Sequence, residues 1–131
     1  MGFLSVIAAA AASFAFGAVW YIGLSKPWMA AAGIECDGTG RPVNGTSATP
    51  FIIGGLCMIL VAGMMRHIFA MAGIDGALSG AIAGLGVGLF FITPWVAMNY
   101  AYAMRPVKLT LIDGGYSTIG SMIIGLVLGL F

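Results

Sequence analysis

Asp113 is the one acid set clearly inside a long apolar run of this chain. A carboxylate in that setting can relay a proton, hold a cation or contact a ligand. It also has a plainer use. Asp113 lies about four residues, roughly 6 Å, into its run. At that shallow depth an acid favours the start of a helix and pairs with Lys108 or Arg105 nearby. Asn99, Tyr100 and Tyr102 stand near the end of the preceding run at a similar depth. Asn99 is placed to hydrogen-bond to Asp113 or to Tyr116. The group forms either a structural clamp or a small polar pocket, and interhelical bonds of about 0.6 kcal/mol suit the clamp. Arg66, His67 and Asp75 gather at the opposite boundary, where a snorkelling Arg beside an acid is the ordinary reading. A single His without Cys, Asp or Glu at ligand spacing points to no metal. The sequence shows no Ser/His/Asp set, no paired carboxylates and no phosphate loop. The G-x-G-x-x-x-G fragments follow no strand, so a nucleotide reading fails. No catalytic residue, metal or cofactor is expected.

The small residues are more regular than the polar ones. Gly76, Gly80, Gly84 and Gly88 repeat every four positions, a smooth ridge along one side of a helix. In water each would weaken the helix by roughly 1 kcal/mol. In lipid such a ridge lets another backbone come close, and helix association there depends on that contact. Ala9, Ser13 and Gly17 repeat the spacing in the first run, and Gly125 and Gly129 in the last. Some of these faces must pack within the molecule. The longest ridge, Gly76 to Gly88, is expected to meet another copy or another membrane subunit.

Composition settles the surroundings of these residues. The 131 residues are 61% hydrophobic and 7% charged, with a net charge of +1; soluble domains carry about 25% charged residues. The basic residues are scattered, which excludes a nucleic-acid footprint and a polybasic lipid cluster. The lipid bilayer is the expected partner, together with other membrane subunits or further copies of the chain. Four runs are long enough to span a membrane: 3–24, 51–73, 76–103 and 109–131. No Lys or Arg precedes the first, so it reads as a spanning helix and not as a signal peptide. Segment 25–50 is the long connection. Ser25, Pro27 and Trp28 predict a short interfacial helix at its start, and Asn44-Gly45 predicts a turn. The tripeptide beginning at Asn44 also matches a glycosylation sequon, a match expected by chance. Trp20, Tyr21, Trp28, Lys26, Arg105 and Lys108 are the expected interfacial anchors. Cys57 reads as a small core residue, and a bridge to Cys36 would require the loop to fold back.

The short links near 74–75 and 104–108 predict antiparallel neighbours. The fold class is therefore all-α, a single-domain integral membrane bundle of four transmembrane helices with up-down topology. Pro94 predicts a kink in the third helix near Phe90 and Phe91. Lys26, Arg41, Arg105 and Lys108 share one side and Arg66 the other. That bias puts the loops of the first group in the cytoplasm and both termini in the periplasm of a bacterium, with the chain in the inner membrane.

One further pattern concerns kinship. Gly17-Ala18-Val19-Trp20-Tyr21 closes the first run, with Trp28 and Gly33 following; Asn99-Tyr100, Arg105, Lys108-Leu109, Leu111-Ile112, Gly115-Tyr116, Gly125 and Leu128 follow later. These residues resemble the small bacterial membrane family catalogued as domain of unknown function 1761, across nearly the whole chain apart from 36–50. In that family an Asn is usual where Asp113 stands, and a His often follows the Tyr where this chain has Ser117. The absence of that His here argues against histidine chemistry at the site. The resemblance implies a four-helix integral membrane protein and no assigned activity. The function expected is that of a non-catalytic accessory or packing subunit associating through glycine-lined helices. The alternative is a small transporter or channel using Asp113 and Asn99.

Overall fold

The computed structural model describes residues 2–35, 38 and 48–131. Helix α1 spans Gly2–Gly23, α2 Ser25–Ala32, α3 Thr49–Ala72, α4 Ala77–Val87, α5 Thr93–Tyr102 and α6 Val107–Leu130; a π turn, Gly88–Ile92, joins α4 to α5. The described residues contain no strand. Four helices are long and apolar enough to cross a membrane: α1, α3, the continuous α4–π–α5 span Ala77–Tyr102, and α6. The protein is thus an all-α, multi-pass chain. The expected turn at Asn44-Gly45, the sequon, Arg41 and Cys36 lie outside the described residues.

α1 and α6 form the inner pair. They run antiparallel, with Tyr21 beside Asp113 at one end and Ser13 beside Tyr116 and Gly120 further along. α3 packs on the other side of α1, also antiparallel, with Gly2 beside Arg66 and Phe14 beside Gly54. Val6, Ala9 and Ala10 of α1, Ala62, Met65 and Phe69 of α3, and Ile124 and Leu128 of α6 make the buried core. Ala9 and Ala62 have no exposed surface at all, so the two backbones approach closely there.

The third span packs along α6. Gly80 faces Gly125, Gly84 faces Ser121, Gly88 faces Ser117, and the Gly76 carbonyl lies against Gly129. Both ladders climb in fours: 76, 80, 84, 88 on one helix and 117, 121, 125, 129 on the other. A Cβ built on Gly84 would stand 2.9 Å from the Ser121 carbonyl carbon, and one on Gly125 would stand 2.8 Å from that of Gly80. Those neighbours are backbone and cannot swing aside. The external contact expected for this ridge is therefore corrected: α6 of the same chain already covers it.

A second correction concerns neighbours. Only four residues, 73–76, separate α3 from α4, yet the two helices share no substantial interface. The physical reason lies at both ends of the link. Gly73 (φ 70°) and Gly76 (φ 91°) adopt conformations that L side chains resist. The link can therefore turn sharply while the glycine ladder binds α4 to α6 and the core binds α3 to α1. The rest of α3 and of the third span faces outward, with Leu56, Leu60, Leu78, Ile82 and Trp95 exposed.

The kink expected near Phe90 and Phe91 takes the form of the π turn, in which the Thr93 N–H reaches back five residues to the Gly88 carbonyl. Pro94 follows directly. It has no N–H to give and its ring crowds the carbonyl four residues before it, so the widened turn accommodates both problems.

Candidate functional site

The polar residues converge where α1, α5 and α6 meet. Both oxygens of Asp113 are engaged: the Tyr21 hydroxyl donates to Oδ1 at 2.6 Å and the Tyr100 hydroxyl to Oδ2 at 2.5 Å. One carboxylate on α6 thereby ties down the other two helices with charge-assisted bonds. The pairing with Lys108 or Arg105 expected for Asp113 is overturned. Arg105 donates instead to the Ala32 carbonyl at 3.0 Å, at the end of α2, and Lys108 is exposed. The arrangement is the structural clamp weighed from the sequence, built from different partners.

Asn99 is exposed and stands outside the cluster, contrary to expectation. The π turn explains why. Eleven residues separate Gly88 from Asn99, and at about 100° per residue a regular helix would bring Asn99 back to the same face within about 20°. The π turn absorbs one extra residue, which rotates everything beyond it by one position. Tyr100 then takes the face that Asn99 would have held. Thr93 gains the same face, and its Oγ1 lies 3.2 Å from the Gly114 carbonyl and from the Ser117 and Thr118 hydroxyls.

Aromatic rings pack around the clamp. Tyr116 donates to the Ser13 carbonyl at 3.0 Å and lies 3.6 Å from the Met58 sulfur. Trp20 donates from Nε1 to the Ile112 carbonyl at 3.0 Å. Tyr21 meets Tyr116 and Trp28 edge-on, with ring centroids 5.5 and 5.6 Å apart. Glycines admit these rings. A Cβ on Gly17 would stand 2.7 Å from Tyr116 Cζ, and one on Gly115 would stand 2.7 Å from Trp20 Cζ2. Trp20 and Tyr21 are thus parts of the helix contact, where the sequence suggested headgroup anchors. Lys26, Arg105 and Lys108 are exposed at this end.

Beside the clamp lies a groove of about 450 Å³. Phe14, Gly17, Ala18 and Tyr21 of α1 form one wall, and Pro50, Phe51, Gly54, Cys57 and Met58 of α3 form the other. Tyr116 reaches in from α6 and Trp28 from α2. Cys57, expected in the core, is an exposed free thiol on the α3 wall. It faces out because α3 contacts the bundle along one narrow side. The lining is aromatic and aliphatic, with hydroxyls already committed to Asp113 and Ser13. Such a surface can bind hydrocarbon, and among the described residues it offers no nucleophile paired with a base.

At the far end Ser5, Arg66, Phe69, Asp75 and Leu128 border a smaller pocket of about 200 Å³. Among the described residues, no group of three or more His, Cys, Asp or Glu is arranged to hold a metal ion. The sequence reading missed Thr93, Ser117, Ser121 and the groove walls. Ser117 and Ser121 were signalled by their four-residue spacing to Gly125. The groove has no sequence signal, because it depends on how α3 is set against α1.

No curated protein and no solved structure matches this chain. The family match covers residues 4–129, which takes in the clamp, both small-residue ladders and the groove; the chain belongs to the family described as protein of unknown function, DUF1761.

Proposed function

We propose that this chain is a non-catalytic accessory membrane protein that holds the hydrocarbon chain of a lipid-phase molecule in the groove between α1 and α3. The observation that carries this reading is the groove itself, about 450 Å³ with aromatic and aliphatic walls on spanning helices. Such pockets are the usual form of a binding site. In a bilayer no water competes for it, so hydrocarbon is its natural filling. The clamp supports the same reading. Asp113 and the Ser13 carbonyl hold the two tyrosines that line the groove, so it is organised before any ligand arrives. The transporter alternative is less favoured, since Asp113 has both oxygens occupied and Asn99 lies outside the cluster.

The expected setting is a bacterial inner membrane, with Lys26, Arg105 and Lys108 on the cytoplasmic side and both termini in the periplasm. Protection of Cys36 from an impermeant thiol reagent in intact cells supports that orientation, and its labelling refutes it. Ligand retention tests the function. Native mass spectrometry of protein extracted in mild detergent should show one bound lipid-phase molecule. Ala18→Phe, on the exposed side of the groove, should lose it while keeping the helical circular dichroism. Equal retention by wild type and variant would remove the groove from the account.

A further inference from the structure

Arg66 and Asp75 border the same small pocket at the end of the bundle opposite the clamp, yet they form no ion pair with each other. Opposite charges so placed in a membrane protein ordinarily meet. Here each is kept to its own side. The Arg66 guanidinium lies against Gly2, where a built Cβ would stand 2.6 Å from Nη2. That sets a cation at the first residue of α1, an end where the helix dipole is also positive. Asp75 stands in the link from α3 to α4, between Gly73 and Gly76, whose positive φ angles shape the turn. Ser5 borders the pocket as well and is only 2% exposed. Its hydroxyl donates to the Gly2 carbonyl at 2.8 Å, so its oxygen keeps lone pairs with which to accept. One part of the pocket therefore favours an anion, and another favours a cation that can donate hydrogen bonds.

We infer that this pocket takes a lipid headgroup carrying both charges, a phosphate ester with a primary ammonium, as in phosphatidylethanolamine. The phosphate faces Arg66, and the ammonium faces Asp75 and the Ser5 oxygen. Such a group bridges two charges that do not reach each other. The size agrees: the pocket is about 200 Å³, below the roughly 300 Å³ at which pockets begin to enclose a whole drug-sized molecule. Phe69 and Leu128 complete the wall from spanning helices. The remainder of the molecule can thus pass straight into the acyl phase, which favours a lipid over a free solute. A primary ammonium brings three donors, as a lysine does. The quaternary ammonium of phosphatidylcholine brings none, and phosphatidylglycerol has no cation. The site is separate from the groove and does not depend on it.

Only the headgroup is held here, so this lipid exchanges and is read by titration. The full chain carrying Ala18→Phe, which takes the groove out of competition, is stripped of lipid in detergent. It is then titrated by native mass spectrometry with phosphatidylethanolamine, phosphatidylcholine and phosphatidylglycerol of identical acyl chains. The first phosphatidylethanolamine should bind roughly tenfold more tightly than either of the others, the scale of one hydrogen bond to a charged group. Asp75→Asn should bring it down to the level of phosphatidylcholine. Arg66→Gln should weaken all three lipids by a similar factor, because each carries the phosphate. Both side chains are exposed, so the helical circular dichroism should stay as it is. Equal binding of the three lipids before either substitution overturns the inference, and that comparison needs neither variant. A preference that survives Asp75→Asn overturns it too, as does free O-phosphoethanolamine binding as tightly as the lipid. None of these results bears on retention in the groove, which is read from the wild type.

Discussion

Asp113 shows what a single side chain does in this molecule. It was legible in the sequence as the focus of the polar residues, and Tyr100 and Tyr116 were legible as its surroundings. Its partners were not, because hydrogen bonding in a helix bundle turns on rotational phase. A one-residue offset places Tyr100 on Asp113 and leaves Asn99 outside. Tyr21→Phe and Tyr100→Phe should each lower stability by about 0.6 kcal/mol, the usual scale of an interhelical hydrogen bond in lipid. Combined with Asp113→Leu, neither should cost anything further, since the shared acceptor is gone. Unfolding in a graded detergent series, arranged as a double-mutant cycle, measures this. Asp113→Asn should be milder than Asp113→Leu, because the amide oxygen still accepts from one tyrosine and its NH2 can donate to the other hydroxyl.

Between whole helices the decisive feature is the pair of ladders on α4 and α6. The glycine ridge was legible, and so was its need for a neighbour. The identity of that neighbour was misread because Ser117 and Ser121 complete the α6 ladder without being glycines. Gly84→Leu should now destabilise the folded chain itself, by about 1–3 kcal/mol as an overpacked contact. Gly86→Leu should be tolerated, since a Cβ at Gly86 meets nothing within 4 Å. Thermal melting of the two variants in the same detergent distinguishes them. The π turn makes a sharper prediction. Phe90 and Phe91 are both 71% exposed. Deleting either should let the turn close into ordinary α-helix while Tyr100 keeps its face toward α6. Deleting Ile82 should rotate Gly76 and Gly80 off their partners and unfold the span. Loss of the Tyr100→Phe effect in the Phe91 deletion would refute this account.

The molecule as a whole is an inner pair, α1 and α6, with one span attached to each side. The four spans were legible from length and apolarity alone, since lipid leaves a backbone few options. Their arrangement was not, because a short link constrains direction and does not compel two helices to pack. The two attachments differ in kind. The third span is held by the ladder, by Thr93 and by Tyr100, whereas α3 rests on α1 mainly through Ala62, Met65 and Phe69. α3 should therefore come away first as denaturing detergent rises. A cysteine at Met65 should become reactive at a lower detergent fraction than one at Ser121; simultaneous reactivity would mean that the bundle opens as one unit.

The thiol of Cys57 has a practical consequence. It sits unpaired on the wall of the lateral opening, reachable from the acyl phase. An electrophile carried on an alkyl tail could be delivered there through the bilayer and bonded in place. The result would be a permanently plugged protein with its sequence and helices intact, a way to silence the chain inside a living membrane and see what fails.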